Sequence, residues 1–250
     1  MNNDTPAAAD LDDVRSRIQI LTSADAALRA ALAKLDPDIV GGPSRLPDWT
    51  VGHVVCHLSR NADGLSNLLL WAKTGVETPM YRSPEARDAD VEAGTHRPAA
   101  EILADYAGSS DAFATAVAAM PDTAWSALVR TRNGGPIPAE VVIDHRICEV
   151  YLHHHDLGVD GGLAEVSDDE GRALLSVLRR TYVRTHDVPP LVLAPAGGDR
   201  LVVGRTVPTA STTGEPEVSG TAIALAGWLT GRTDGSDLTS AGPLPSLPNW

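Results

Sequence analysis

The chain has 250 residues, 43% hydrophobic and 21% charged, with a formal net charge of −13. A chain of this length buries a core without needing disulfides or a metal merely to fold. The acidic balance, with no basic run anywhere, excludes nucleic acid as a main partner, because phosphate binding needs concentrated positive charge.

Two cysteines, Cys56 and Cys148, make no disulfide framework. The opening MNNDTPAAADLDD is polar and acidic, unlike a signal peptide. No apolar stretch reaches the roughly 18 residues that suggest a membrane span. The expectation is a soluble, cytoplasmic, monomeric protein with no membrane partner. Aromatic residues are only 4% of the chain, which suits a core of close-packed helices rich in Ala, Leu and Val.

Apolar residues recur at three, four and seven from Leu11 through Val14, Ile18, Leu21, Leu28 and Leu32 to Leu35. That spacing predicts an amphipathic helix. Gly41, Gly42, Pro43 and Pro47 break it. Asp48 or Thr50 can cap a second helix that runs to Thr74 and stops at Gly75. Ser83-Pro84-Glu85 reads as a cap with proline at the first helical position. A long helix is predicted from Pro98 to Met120, and another from near Pro138 to Gly158, after a turn at Asn133-Gly134-Gly135-Pro136.

Four main helices with short connections predict an antiparallel bundle over residues 1–165. Val166 to Arg184 is helical in pattern. Leu191–Ala194 and Leu201–Gly204 then read as strands joined by a Gly-Gly-Asp turn, and Thr221 to Thr230 as a short helix. Residues 166–250 are therefore expected to form a small α/β unit, making the whole chain α+β.

The histidines are unevenly placed. His53 and His57 lie four apart on the second helix, and His145, His153, His154 and His155 cluster on the fourth, with Glu149 between. Residues four apart share a helix face. Glu149 and His153 can thus point together into a bundle core, with His53 or His57 meeting them from a facing helix. Two imidazoles and a carboxylate form a known catalytic zinc set whose fourth position stays open. Iron(II) takes the same ligand types. The competing reading keeps each histidine structural or exposed. His153, His154 and His155 point in three directions, so at most one or two of them can serve a single site. His96 and His186 sit in polar surroundings and read as surface residues.

Cys56 and Cys148 each precede a proposed ligand. One step along a helix turns a side chain by about 100°, so packing is the preferred role for both. Arg232 follows a short apolar helix and a glycine. Its planar fork suits a carboxylate, and a solvated surface arginine is the alternative.

At these residues the sequence resembles the mycothiol-dependent maleylpyruvate isomerases, within the DinB-like superfamily of metal-binding four-helix bundles. The first match runs from Asp48-Trp49-Thr50 to Cys56-His57, with Asn61 beyond it. The second runs from Trp71-Ala72-Lys73-Thr74-Gly75 through Glu77–Tyr81 to Ser83–Arg87, and is specific to the family. The third is Glu149-Val150-Tyr151-Leu152-His153, followed by Asp156-Leu157-Gly158. In the C-terminal part Ser219-Gly220, Gly231-Arg232 and Pro248-Asn249-Trp250 match as well.

The resemblance implies zinc, or another divalent metal, on His57, Glu149 and His153, with Arg232 acting at the active site. It implies mycothiol as the thiol cofactor and conversion of maleylpyruvate, or a similar conjugated cis acid, to the trans isomer. In that chemistry a thiolate adds to the conjugated bond, the resulting single bond rotates, and the thiolate is expelled. Arg232 would hold a substrate carboxylate and stabilise the enolate formed on addition. The sequence departs from the family pattern at Cys56, His154 and His155, which flank the pocket and bear on substrate preference. A thiol transferase joining the same thiol to an electrophile is the alternative enzyme. A non-catalytic zinc-binding module is the alternative outside enzymes, and the absence of a Cys-rich closed ligand set argues against it.

Overall fold

The computed structural model describes residues 9–132, 135–159, 161–181, 188–204 and 215–248. The turn expected at Asn133-Gly134, the helix end expected at Arg184, His186 and the terminal Asn249-Trp250 lie outside those residues. The fold is α+β, and the chain divides into two compact units, residues 1–162 and 163–250. None of the described helices is long and apolar enough to cross a membrane.

In the first unit each helix begins where the sequence offers a cap. Helix α1 (Leu11–Ala33) starts after Asp10, whose carboxylate accepts from the Asp12 and Asp13 amides. Helix α2 (Val51–Thr74) is capped by Thr50 and ends on Gly75, which takes the left-handed conformation at φ 72. Helix α3 (Pro84–Thr95) has Ser83 as its cap and Pro84 in its first turn. Helices α4 (Ala99–Ala118) and α5 (Val141–Asp156) complete the set.

Helix α2 is central. It packs on α3, α4 and α5, while α1 packs on α5 and α4. Leu28, Leu58, Leu65, Ile102, Tyr106, Ile143, Ile147 and Leu152 are fully buried between these helices. Two buried arginines join the bundle. Arg17 on α1 donates to Asp144 on α5 at 3.0 Å. Arg146 on α5 donates to the Leu58 carbonyl at 2.8 Å, Asn61 at 2.9 Å and Ser110 at 3.0 Å.

Helix α5 starts at Val141, not near Pro138 as the pattern predicts. Strands β1 (Leu128–Arg130) and β2 (Pro136–Pro138) form a small antiparallel hairpin that holds Pro138 opposite Leu128. A three-residue strand carrying two prolines gives no alternation to read.

In the second unit helix α6 (Asp168–Arg180) opens on a capping box formed by Ser167 and Glu170. Strands β3 (Leu191–Pro195), β4 (Leu201–Val203), β5 (Glu217–Gly220) and β6 (Thr239–Ser240) form one sheet in the order β4-β3-β5-β6. β3 pairs antiparallel with β4, as the Gly-Gly-Asp turn predicts, and parallel with β5, which the pattern does not reveal. Helix α7 (Ala222–Leu229), capped by Thr221, packs on α6 and against β3 and β5.

Candidate metal centre

Helices α2 and α5 bring together His57, Glu149 and His153, whose ligand-type atoms lie within 4.8 Å of one another. Glu149 Oε2 lies 2.8 Å from His57 Nε2 and 3.1 Å from His153 Nε2. The two imidazole rings stand 4.6 Å apart and nearly perpendicular, at 86°. The i,i+4 spacing sets Glu149 and His153 on one face of α5, and the contact between α2 and α5 adds His57.

Surrounding residues tune this cluster. His153 Nδ1 bonds the buried Asp156 carboxylate at 2.9 Å. That bond places a proton on Nδ1 and leaves Nε2 as the nitrogen that faces Glu149 and can offer a lone pair to a cation, the usual support of a metal-ligating imidazole. Burial pushes His57 down to about 4, against the pull of Glu149, so the ring is neutral at physiological pH. Burial pushes the Glu149 carboxyl up, and His57 and His153 overcome it to hold the group well below the usual carboxylate range. His153 is raised, because Asp156 and Glu149 outweigh the effect of burial. A neutral imidazole, an ionised carboxylate and an oriented second imidazole converging on one point fit a divalent cation with nitrogen and oxygen ligands.

The rim comes from segments before and after α2. Trp49 packs edge-on to His57 with ring centres 5.6 Å apart. Asp48, just before it, holds a left-handed φ of 63, a costly conformation for a non-glycine residue. Tyr81 reaches the cluster because Gly64 on α2 has no side chain. A Cβ there would sit 2.8 Å from Met80 and 2.9 Å from Tyr81. Burial, with Glu149 adding to it, pushes the Tyr81 phenol up to about 12. Arg87 on α3 donates to His57 Nδ1, and its guanidinium lies 5.8 Å from the Trp49 ring centre.

The other candidates stand elsewhere. His53 serves its own helix end, its Nδ1 accepting from the Thr50 amide at 3.1 Å while Nε2 meets Glu92 at 3.2 Å. His145 lies one turn before Glu149 and outside the cluster. His96 is exposed, with Nδ1 2.9 Å from the Glu92 carbonyl. His155 contacts Arg45, and His154 is buried on another face of α5. Cys56 and Cys148 are buried and form no disulfide. Burial raises the Cys56 thiol, and Arg97 nearby opposes that, so it is no ready nucleophile. Arg232, in the second unit, is half-buried and donates to the Thr230 carbonyl at 2.9 Å.

Reading by residue type alone misses three neighbours of the cluster, Asp156, Tyr81 and Arg87. Asp156 carries a signal, its i,i+3 spacing from His153. Tyr81 and Arg87 lie 24 and 30 residues beyond His57 and carry none except their place in a family motif.

The family model described as mycothiol maleylpyruvate isomerase N-terminal domain matches residues 21–158. Two solved structures resemble the whole chain. One is a crystal structure of the mycothiol-dependent maleylpyruvate isomerase, with TM-score 0.80 and 28% identity, covering 95% of this chain and 97% of that one. The other is a histidine-to-alanine mutant of that enzyme, with TM-score 0.79 and the same identity and coverage. A comparison with curated proteins finds no match. The matched segment contains α2, α5 and the whole His57–Glu149–His153 cluster, and the chain belongs to the mycothiol-dependent maleylpyruvate isomerase family.

Proposed function

We propose that this protein is a zinc- and mycothiol-dependent cis–trans isomerase acting on maleylpyruvate or a closely similar conjugated cis acid. The observation that carries the reading is the convergence of His57, Glu149 and His153 within 4.8 Å, inside the segment that matches the family. A zinc ion on these three residues would supply the charge that keeps a ligating thiol deprotonated near neutral pH, where a free cysteine-type thiol has a pKa of about 8.5.

The remaining work falls to the chain's own side chains. Glu149 and His57 would hold the ion through a carboxylate oxygen and Nε2, and Asp156, by accepting the Nδ1–H hydrogen bond of His153, leaves that ring's Nε2 for the same role. Trp49 covers one side of His57 and limits water there. Arg232 is proposed to hold a carboxylate and the negative charge that develops on its conjugated oxygen. It follows Gly231, whose left-handed φ of 72 turns the chain out of α7. The reading sets the enzyme in the cytoplasm, as a monomer with small-molecule partners only. The two units act as domains, joined near residue 165.

The test is purified protein with maleylpyruvate, with and without mycothiol. A free trans acid formed only with the thiol supports isomerisation. A stable thioether makes the protein a transferase, and inertness with every thiol and electrophile overturns the enzyme reading. Arg232→Ala should lower turnover and leave metal content unchanged.

A further inference from the structure

Arg87 stands in an arrangement that a loaded metal centre cannot keep. Its Nη2 donates to Nδ1 of His57, so Nδ1 there is the bare nitrogen. The Nε2–H of the same ring then points at Glu149 Oε2, 2.8 Å away. A cation held through Nε2 needs the opposite tautomer, with the proton on Nδ1. Two donors would then face each other, because a guanidinium has no acceptor and stays charged. Metal at Nε2 and the Arg87–His57 bond exclude one another.

The displaced guanidinium has little to turn to. Its side chain is only 13% exposed, and its carboxylate partner Asp88, at 2.8 Å, is 64% exposed and faces solvent. Its Nε is buried and has no hydrogen-bond partner among the described residues. Trp49 and Tyr81 flank it and bring no negative charge. A buried cation beside a dication needs an anion, and a planar fork takes a carboxylate through two parallel bonds.

We propose that Arg87 anchors a carboxylate of the incoming ligand, and that metal binding at His57 releases it for that role. The inference rests on the metal-centre reading above. It adds a second carboxylate-binding arginine, supplied by the helical unit itself, and makes metal loading the step that prepares the pocket for an acid.

Maleate is a suitable probe, with binding followed by calorimetry on the full-length protein, zinc-free and zinc-loaded. The zinc-loaded protein should bind maleate more tightly than the zinc-free one. Arg87→Gln should take up zinc with unchanged stoichiometry and equal or higher affinity, since nothing then competes for Nδ1. The same variant should lose maleate affinity by about 10- to 100-fold, the range for hydrogen bonds to a charged group. Arg87→Lys, with charge but no fork, should recover only part, and Asp88→Asn should bind maleate as the parent does. Unchanged maleate affinity in zinc-loaded Arg87→Gln overturns the anchor and leaves the metal centre standing. Loss of zinc affinity in that variant overturns it too, by making the arginine a support of His57. Failure of the parent to bind zinc removes the release step and the metal reading together.

Discussion

Two layers of the helical bundle bury polar groups in opposite ways. Around Arg146, which is 2% exposed, the guanidinium donates to neutral acceptors on two other helices, the Leu58 carbonyl and Asn61 on α2 and Ser110 on α4, and the rings of Tyr106 and Phe113 stand 5.9 and 6.0 Å away. Such a layer is internally satisfied and ties α2, α4 and α5 together. Around His57 the ligand-type atoms of three residues converge within 4.8 Å, and the nearby guanidinium carries a buried nitrogen with no hydrogen-bond partner among the described residues. On the proposed reading such a layer is completed by a cation. The contrast is between ligand-type atoms gathered at one point and donors each matched to an acceptor.

The largest expected effect breaks the converging layer. His57→Ala, Glu149→Ala and His153→Ala should each lower zinc affinity by more than about 100-fold, and Asp156→Asn by about 10- to 100-fold as an outer partner. Equilibrium dialysis with elemental analysis decides it, and full zinc in all three ligand variants would refute the site. His154→Ala and His155→Ala should keep the metal.

The second breaks the satisfied layer. Arg146→Met strands the acceptors of Asn61 and Ser110 and should cost about 3 kcal/mol of stability, read by denaturant unfolding. The folded fraction should still bind zinc. An unfolding midpoint equal to the parent's would contradict the structural role given to Arg146.

The third sharpens the contrast through pH. His57 has its folded pKa lowered to about 4 from 6.5. Between those values the unfolded chain binds the proton and the folded chain resists it, so zinc-free stability falls on acidification. From pH 6.5, where the unfolded ring is half protonated, to pH 5 the loss is about 1.5 kcal/mol. His153, raised, contributes stability that is complete below 6.5 and lost as pH rises through its folded pKa. Glu149, lowered, loses its contribution only below 4.5. His57→Gln should flatten the slope between pH 6.5 and 5, and an unchanged slope in thermal melts would reject the assignment.

The smallest expected effect concerns the thiols. The Cys56→Ser, Cys148→Ser double variant should stay active with mycothiol, within a few-fold of the parent, and be inactive without it. Turnover by the parent with no added thiol, lost in the double variant, would make the nucleophile internal.

Much of the helical unit was legible because its signals are local. Thr50 and Gly75 bound α2 as its caps predict, and Ser83-Pro84 opens α3. The expected start of α5 near Pro138 is displaced to Val141, because the Pro136–Pro138 strand takes those residues into a hairpin. Strands β5 and β6 went unread for the same reason. Four- and two-residue segments carry too little alternation, and their identity as strands comes from pairing with β3 and with each other.

Periodicity and caps, properties of neighbours within a few residues, set which segments are helices and which face of α5 carries Glu149 with His153. Spacing alone left His53 and His57 equal as their partner, and the family resemblance favoured His57. Only the packing of α2 on α5 put Nε2 of His57 at 2.8 Å from Glu149 and turned His53 back to its own helix cap. The approach of α3 likewise set Arg87 on His57 across 30 residues of chain. A Cβ on Gly94 of α3 would sit 2.8 Å from the sulfur of Cys56, so the two helices meet that closely because glycine stands there. Contacts between residues far apart in sequence depend on how whole helices fit against one another, and no short stretch of sequence encodes that fit.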